Sequence, residues 1–429
     1  MRVPWCFNRM LLLAVSGCQD PPPLDFRTSD TAQETAEVED QRVLVDFLWV
    51  IDNSTSMCHE QVALTRGFDA FVRRLKGNLD VDPRVAVTSV DSQCDINGTT
   101  IFSAKGKFNQ KAAKAFPYPC QETRRIACLS DADCADLDCS LFASCGDEQA
   151  QWTCRGTSAA CVQNPNGSIN TTCRRSCTND QECAALFGDP SYICHQPSAN
   201  TADWGCLRPP DSTTCPDELP AFLTSDNIDL FPCIATLGVN QEKCFKFEQQ
   251  LRSGFMALDP NGINADQASN FLRPEAYLVV VFVSDEEDCS IADNDTIGEN
   301  DYETCGLLKT TDEGGPLVPV AHYVNKFKAL KSDPSKVIVA AISGDSLQSD
   351  PGPVAAERES YLASKGDPET CYHQTYICSS ASGTADLGAR LLEFTKGFGL
   401  NGTFVNICSD SGIGMAMQQI ADLILSVVK

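Results

Sequence analysis

The sequence predicts an α/β protein built on a doubly wound, mostly parallel sheet, with a small disulfide-rich module inserted into it. Three observations carry this. Residues 43–51, 84–90, 277–283 and 336–343 are nearly all apolar and rich in Val, Ile and Leu, as strands covered on both faces are. Segments with apolar residues at helical spacing alternate with them, which parallel strands need for their crossovers. Between 120 and 215 the composition shifts. Thirteen of the 24 cysteines fall there and large aliphatic residues are few, so bridges must hold what a core cannot.

At 429 residues the chain has room for one to three domains. Its 58 acidic and 33 basic residues give a formal charge of −25. That argues against nucleic acid or an anionic membrane surface as the main partner and favours cations, or partners presenting positive charge. Cysteine usage on this scale belongs to an oxidising compartment. The amino terminus agrees. Arg2 and Arg9 flank a short apolar run, closed by Val15-Ser16-Gly17-Cys18. The run is too short to span a bilayer, and its ending resembles a bacterial lipobox, with Cys18 as the lipid-bearing mature terminus. Residues 1–18 are therefore expected to be a lipoprotein signal, and the protein to be lipid-anchored in the cell envelope, periplasmic or at the surface. Setting aside Cys6 and Cys18 leaves 22 of the 24 cysteines, an even number that fits full pairing. Residues 19–41 hold three prolines and then a polar, acidic run, the composition of a disordered tether.

The α/β body is expected over 42–119 and 216–429. The strand at 43–51 ends abruptly in Asp52-Asn53-Ser54-Thr55-Ser56, and from Gln61 apolar residues recur at helical spacing (Phe68, Phe71, Val72, Leu75, Leu79). Pro83 breaks the pattern before the second strand at 84–90. Residues 99–103 form a short third strand near an edge. The insert, 120–215, contains a repeat: residues 128–137 and 177–186 both read C-x-x-D-x-[DE]-C-A-x-L. Its acidic residues lack the spacing of a Ca²⁺ loop and its cysteines lack the paired C-x-x-C of a zinc site. Residues 231–258 end in a helix with Phe247, Leu251, Phe255 and Leu258 on one face, and Cys233 and Cys244 are expected to pair at its entry. The strand at 277–283, fourth of the sheet on this reading, runs into Ser284-Asp285-Glu286-Glu287-Asp288-Cys289. A strand at 336–343, a helix at 385–398, a strand at 403–407 and an amphipathic helix at 413–428 complete the body. Cys289 with Cys305, and Cys378 with Cys408, are plausible further pairs.

The strand-end loops carry the chemistry. In an open α/β sheet, ligands sit in the crevice beyond the carboxyl ends of the strands. Asp52, Ser54 and Ser56, in the pattern D-x-S-x-S, can aim hard oxygens at one point, and hard oxygens suit Mg²⁺, Mn²⁺ or Ca²⁺. Asp285 offers a second carboxylate at another strand end. Two plainer readings exist for the first loop. Its hydroxyls could simply cap the following helix. A haloacid-dehalogenase-type phosphatase would also place Asp52 here, but needs a second Asp where Ser54 stands.

These motifs resemble the von Willebrand factor type A family, whose metal-ion-dependent adhesion site joins D-x-S-x-S, a threonine in a middle loop and a later Asp. The resemblance covers the body without its insert. The insert, the acidic run and the lipobox together also resemble secreted lipoproteins of myxobacteria. The resemblance implies a metal site of Asp52, Ser54, Ser56 and Asp285. For the threonine it leaves three choices: Thr236 displaced into the site, Asn240 in its stead, or no ligand. It also implies an extracytoplasmic binding protein, not an enzyme, whose bound ion takes an acidic side chain from a protein partner. The alternatives are a metal-dependent hydrolase or phosphotransferase, and a disulfide-stapled structural module with a vestigial site. None of His59, His195, His322 and His373 joins a triad or zinc motif.

Overall fold

In the computed structural model of the chain, Val43–Ile51 forms strand β1, and its last seven residues are buried. The structure describes residues 42–112, 215–238, 248–292, 307–365 and 376–428 apart from 92, 97–98, 103–104, 381–382 and 410–411, with Cys305 and short stretches between 120 and 208. On one side β1 pairs in parallel with β2 (Val81–Ser89), and on the other with β3 (Tyr277–Val283). Beyond β3 lie β4 (Val337–Ser343) and β5 (Gly402–Asn406), again parallel. The order across the sheet is β5-β4-β3-β1-β2.

Alternation along the strands sorts the core into two faces. Phe47, Trp49 and Ile51 of β1 pack with helix α1 (Cys58–Lys76), the short α2 (Phe231–Ala235) and α8 (Gly412–Val428). Leu48 and Val50 face the other layer: α3 (Gln250–Leu258), α4 (Ala265–Phe271), α5 (Val320–Lys328) and α7 (Ala389–Lys396). Between them, α6 (Pro351–Lys365) precedes α7 in the chain and buries Tyr361 on the first face. α3 lies so close to the sheet that a Cβ on Gly254 would sit 2.9 Å from the Phe282 ring and 3.1 Å from Val50.

This order places a switch point. The chain steps from β1 out to β2, then returns to β3 on the far side of β1 and continues outward. The crevice above the carboxyl ends of β1 and β3 is where such a sheet receives ligands. At the sheet's other end, β1 carries a buried charge. Asp46 accepts from the backbone N and Nε of Arg273, each at 2.8 Å, and Lys331 Nζ stands 3.7 Å away. Burial holds the Asp46 carboxyl above its ordinary value, and Arg273 pulls against it.

Several expectations are corrected. β2 starts at Val81 and takes Pro83 into the strand, opposite Val45. β2 is an edge strand, where a missing N–H costs no bond on the open side. Thr99–Phe102 is a strand, but it pairs antiparallel with Gln93–Ile96 outside the main sheet. The strand ending before Asp285 is thus third in the sheet by chain order, not fourth. The helix expected over 385–398 spans only Ala389–Lys396, because Gly383–Ala385 pairs with Cys378–Ser380. The helix ending at Leu258 begins at Gln250, and Phe247 lies outside the described residues. Cys233 pairs with Cys215, not with Cys244, so the insert's last cysteine is tied to α2. Cys289 with Cys305 and Cys378 with Cys408 pair as expected. Within the insert, Cys120–Gln121, Ile193–His195 and Gly205–Arg208 form one small antiparallel sheet, and Thr123–Ala127, Trp152–Arg155 and Thr172–Arg175 another. The second repeat copy runs into a helix, Asp180–Phe187; the first lies outside the described residues.

Phe282 meets Phe394 at 5.5 Å and Phe327 at 6.2 Å, both edge to face, with no exposed surface. Phe282→Ala should lower unfolding free energy by about 3–5 kcal/mol in a urea titration. Leu400→Ser, at a position 92% exposed, should change it by less than about 0.5 kcal/mol. Equal losses would contradict the layer assignment.

Candidate metal centre

The pairing of β1 with β3 brings two acidic loops together. Ile51 is level with Val283. Just beyond them Asp52 N donates to the Val283 carbonyl at 2.9 Å, and Ser284 N to that of Ile342 at 3.1 Å. The first residue after each strand therefore still belongs to the ladder, and its position is fixed by the sheet.

From there the side chains connect. Asp52 is wholly buried; Ser54 and Asp285 are nearly so. Asp52 Oδ1 accepts from Ser54 N at 2.7 Å, the local turn that Asp favours. Its Oδ2 accepts from Ser284 Oγ at 2.6 Å. The hydroxyls of Ser54 and Ser56 lie 2.8 Å apart, and Ser56 Oγ donates to Asp285 Oδ1 at 3.1 Å. Asp52, Ser54, Ser56 and Asp285 thus lie on one hydrogen-bonded path. The plain capping role does not use these hydroxyls: the residue capping α1 is Met57, and no side chain caps the helix.

Electrostatics set this cluster apart from the rest of the core. Burial, and then repulsion from Asp285, push the Asp52 carboxyl from 3.8 up to about 7, against hydrogen bonds from Ser284 and Ser54 that pull it down. Glu248, just before α3, is driven well above the usual carboxylate range, by burial first and then by Asp52, Asp91 and Asp285. Glu286 moves the same way, through burial and then Asp386 and Asp285. Like charges crowded into a dry crevice favour a cation between them. The donors are hard oxygens, two carboxylates and two hydroxyls, and they fit Mg²⁺ or Mn²⁺ better than a soft metal. Among the described residues, no three His, Cys, Asp or Glu side chains form a group able to hold a metal. The set here has only two carboxylates and would complete its shell with hydroxyls and water.

Thr236 is the residue the structure does not bring into this path. It caps the end of α2, and its hydroxyl donates to the Pro232 carbonyl at 2.6 Å. Asn240 lies outside the described residues. The loop after α2 nevertheless reaches the site, because Gln61 Nε2 donates to the carbonyls of Asp52, at 2.8 Å, and Gly238, at 3.3 Å.

Sequence reasoning missed Ser284, Gln61, Glu248 and Asp91. Ser284 had a signal, a hydroxyl directly between an apolar run and Asp285. Gln61 had one too, a polar residue on the stripe that continues through Leu64, Phe68 and Phe71. Glu248 and Asp91 had none, since only the fold pairs them. Asn53 Nδ2 donates to Asp91 at 2.8 Å and so ties the first loop to the end of β2. No protein-family model matches the chain, and no curated protein matches it.

Without a cation, this site makes stability depend on pH in a particular sense. The folded-state value of Asp52, about 7, lies above its unfolded value of 3.8. The folded chain then holds the proton more tightly, so the contribution is complete below about pH 4 and lost as pH rises through about 7. In urea unfolding with a chelator present, wild type should lose stability over that window. Asp52→Asn should reduce the loss, with Glu248 and Glu286 keeping their share of it. An unchanged slope in Asp52→Asn would show that Asp52 is not the group responsible.

Proposed function

We propose that the chain is a von Willebrand factor type A-like binding module. On this reading it is anchored outside the cytoplasm by lipid and grips a protein partner through a bound Mg²⁺ or Mn²⁺. The observation that carries this is the path from Asp52 through Ser54 and Ser56 to Asp285, set at the switch point of a five-stranded parallel sheet. Asp52 and Asp285 would hold the ion with the two serine hydroxyls, and Thr236 or a neighbour on its loop would be the further ligand. Once bound, the ion supplies an open coordination position that an acidic side chain of the partner can fill. The protein's own residues do the rest. Ser284 orients Asp52, the sheet fixes the spacing of the two carboxylates, and the buried setting keeps competing water scarce. The formal charge of −25 speaks against nucleic acid as a partner.

Metal should raise the melting temperature of wild type by a linkage term that grows with concentration over affinity. At a hundred times Kd that term is about 2.7 kcal/mol. Asp52→Ala should abolish the rise and Asp285→Ala should weaken it. Thr236→Ala should matter only if that hydroxyl leaves Pro232 for the ion. Wild type and Asp52→Ala melting at the same temperature with and without millimolar Mg²⁺ or Mn²⁺ would sink the reading.

The anchor is tested separately. Among the described residues, no helix is long and apolar enough to cross a membrane. The lipobox-like Val15-Ser16-Gly17-Cys18 is the ground for assigning retention to Cys18, and Cys18→Ala should move the protein from the membrane fraction to the soluble one. A mutant that stays with membranes as wild type does would place the anchor elsewhere.

A further inference from the structure

The geometry points to Gln61 as a positioning residue that clamps the loop after α2 against the Asp52 loop, with the Cys215–Cys233 bridge as the clamp's fixed end. The inference rests on the ion reading above, because ion affinity is the quantity the clamp would set.

Gln61 sits in the first turns of α1, on the stripe that continues through Leu64, Phe68, Phe71 and Leu75 into the core. It is 1% exposed. Its two close partners, the carbonyls of Asp52 at 2.8 Å and Gly238 at 3.3 Å, are both acceptors. The amide nitrogen must therefore face them. The amide oxygen is left buried with no partner. A buried acceptor without a donor is destabilising, so the amide is held here at a cost to its own oxygen. What the amide does accomplish is to join two loops, that of Asp52 and that of Gly238.

The second loop is held from behind as well. Cys233, in the middle of α2, is bridged to Cys215. The Ile234 carbonyl accepts from Asn109 Nδ2 at 2.6 Å. Thr236 closes the helix end on Pro232. Gly238 then takes a φ of +77°, which glycine adopts without strain. The loop is thus fixed at its back by a covalent bond and at its front by Gln61. Thr236 lies between these two anchors, so its distance from Asp52 is governed by an amide that touches the carbonyl of Asp52 itself. Partners that orient metal ligands are typically worth about 10–100-fold in affinity. The bridge also gives the insert a part in the site, since Cys215 is the insert's last cysteine.

The test is Mn²⁺ binding to the full chain, read from the electron paramagnetic resonance signal of the free ion, with the metal-free melting temperature of each protein beside it. Gln61→Met keeps the length of the side chain and removes both N–H groups. It should raise Kd for Mn²⁺ by roughly tenfold or more, a larger change than the lower metal-free melting temperature from two carbonyls left without a donor accounts for. The double variant Cys215→Ser/Cys233→Ser should also raise Kd. An unchanged Kd in Gln61→Met overturns the clamp, and so does a change that merely follows a lower melting temperature. An unchanged Kd in the double variant removes the bridge from it. If Gln61→Met does not fold, Gln61→Leu, also uncharged and with no N–H to give, is read in its place. Wild type that binds no Mn²⁺ removes the ion reading and the clamp together. Wild type that binds, with Gln61→Met unaffected, removes only the clamp.

Discussion

The parallel pairing of β1 with β3 is the constraint on which the rest depends. Side chains in a strand alternate between faces, so a slip of one residue would turn Phe47, Trp49 and Ile51 out of one layer and Leu48 and Val50 out of the other. Both layers are filled, which pins the register. With Ile51 level with Val283, Asp52 and Ser284 must emerge side by side, and Asp285 follows one residue later. The proximity of two carboxylates in the crevice is therefore a consequence of core packing. Neighbouring strands lie only about 4.8 Å apart, so the loops have little freedom to separate.

The two ends of β1 treat a buried aspartate in opposite ways. Asp46 is wholly buried, but Arg273 and Lys331 surround it and a backbone N–H completes its bonding. Arg273 also reaches Asp82, so the charges form a closed group. Asp52 is equally buried, six residues later. Its partners are neutral donors, Ser54 and Ser284, and its nearest charged influence is another carboxylate. One arrangement is complete as it stands. The other sets a buried carboxyl against a second carboxylate at the position where the sheet's topology opens a crevice.

Much of this was legible in the sequence because it depends on local pattern. The runs at 43–51 and 277–283 matched the strands to the residue, since apolar stretches bounded by polar loops leave no room for shift. Asp52, Ser54, Ser56 and Asp285 followed from their places directly after those runs. What escaped depends on partners far apart in the chain. Pro83 reads as a breaker until β2 is known to be an edge. Cys233 is nearer in sequence to Cys244 than to Cys215, and only the placement of α2 beside the insert's exit decides between them. Glu248 and Asp91 carry no motif, and their meeting exists only in three dimensions. Asp46 sits in an apolar run where a single charge reads as noise.

The departures from local consistency gather at one place. Gln61 interrupts an apolar stripe and leaves an oxygen unpaired; Glu248 and Glu286 hold carboxyls in surroundings that oppose their charge; Asp52 and Asp285 repel each other. Elsewhere apolar faces are buried, the charge at Asp46 is paired and Cys215, Cys289 and Cys378 are bridged, though Trp49 Nε1 is also buried without a partner. A sequence under selection for stability alone would remove such conflicts. Their concentration around the carboxyl ends of β1 and β3 argues that the crevice is maintained for something that binds there. The sign of the conflict, carboxyls whose burial and mutual repulsion oppose their ionisation, is the ground on which a cation is proposed for the crevice.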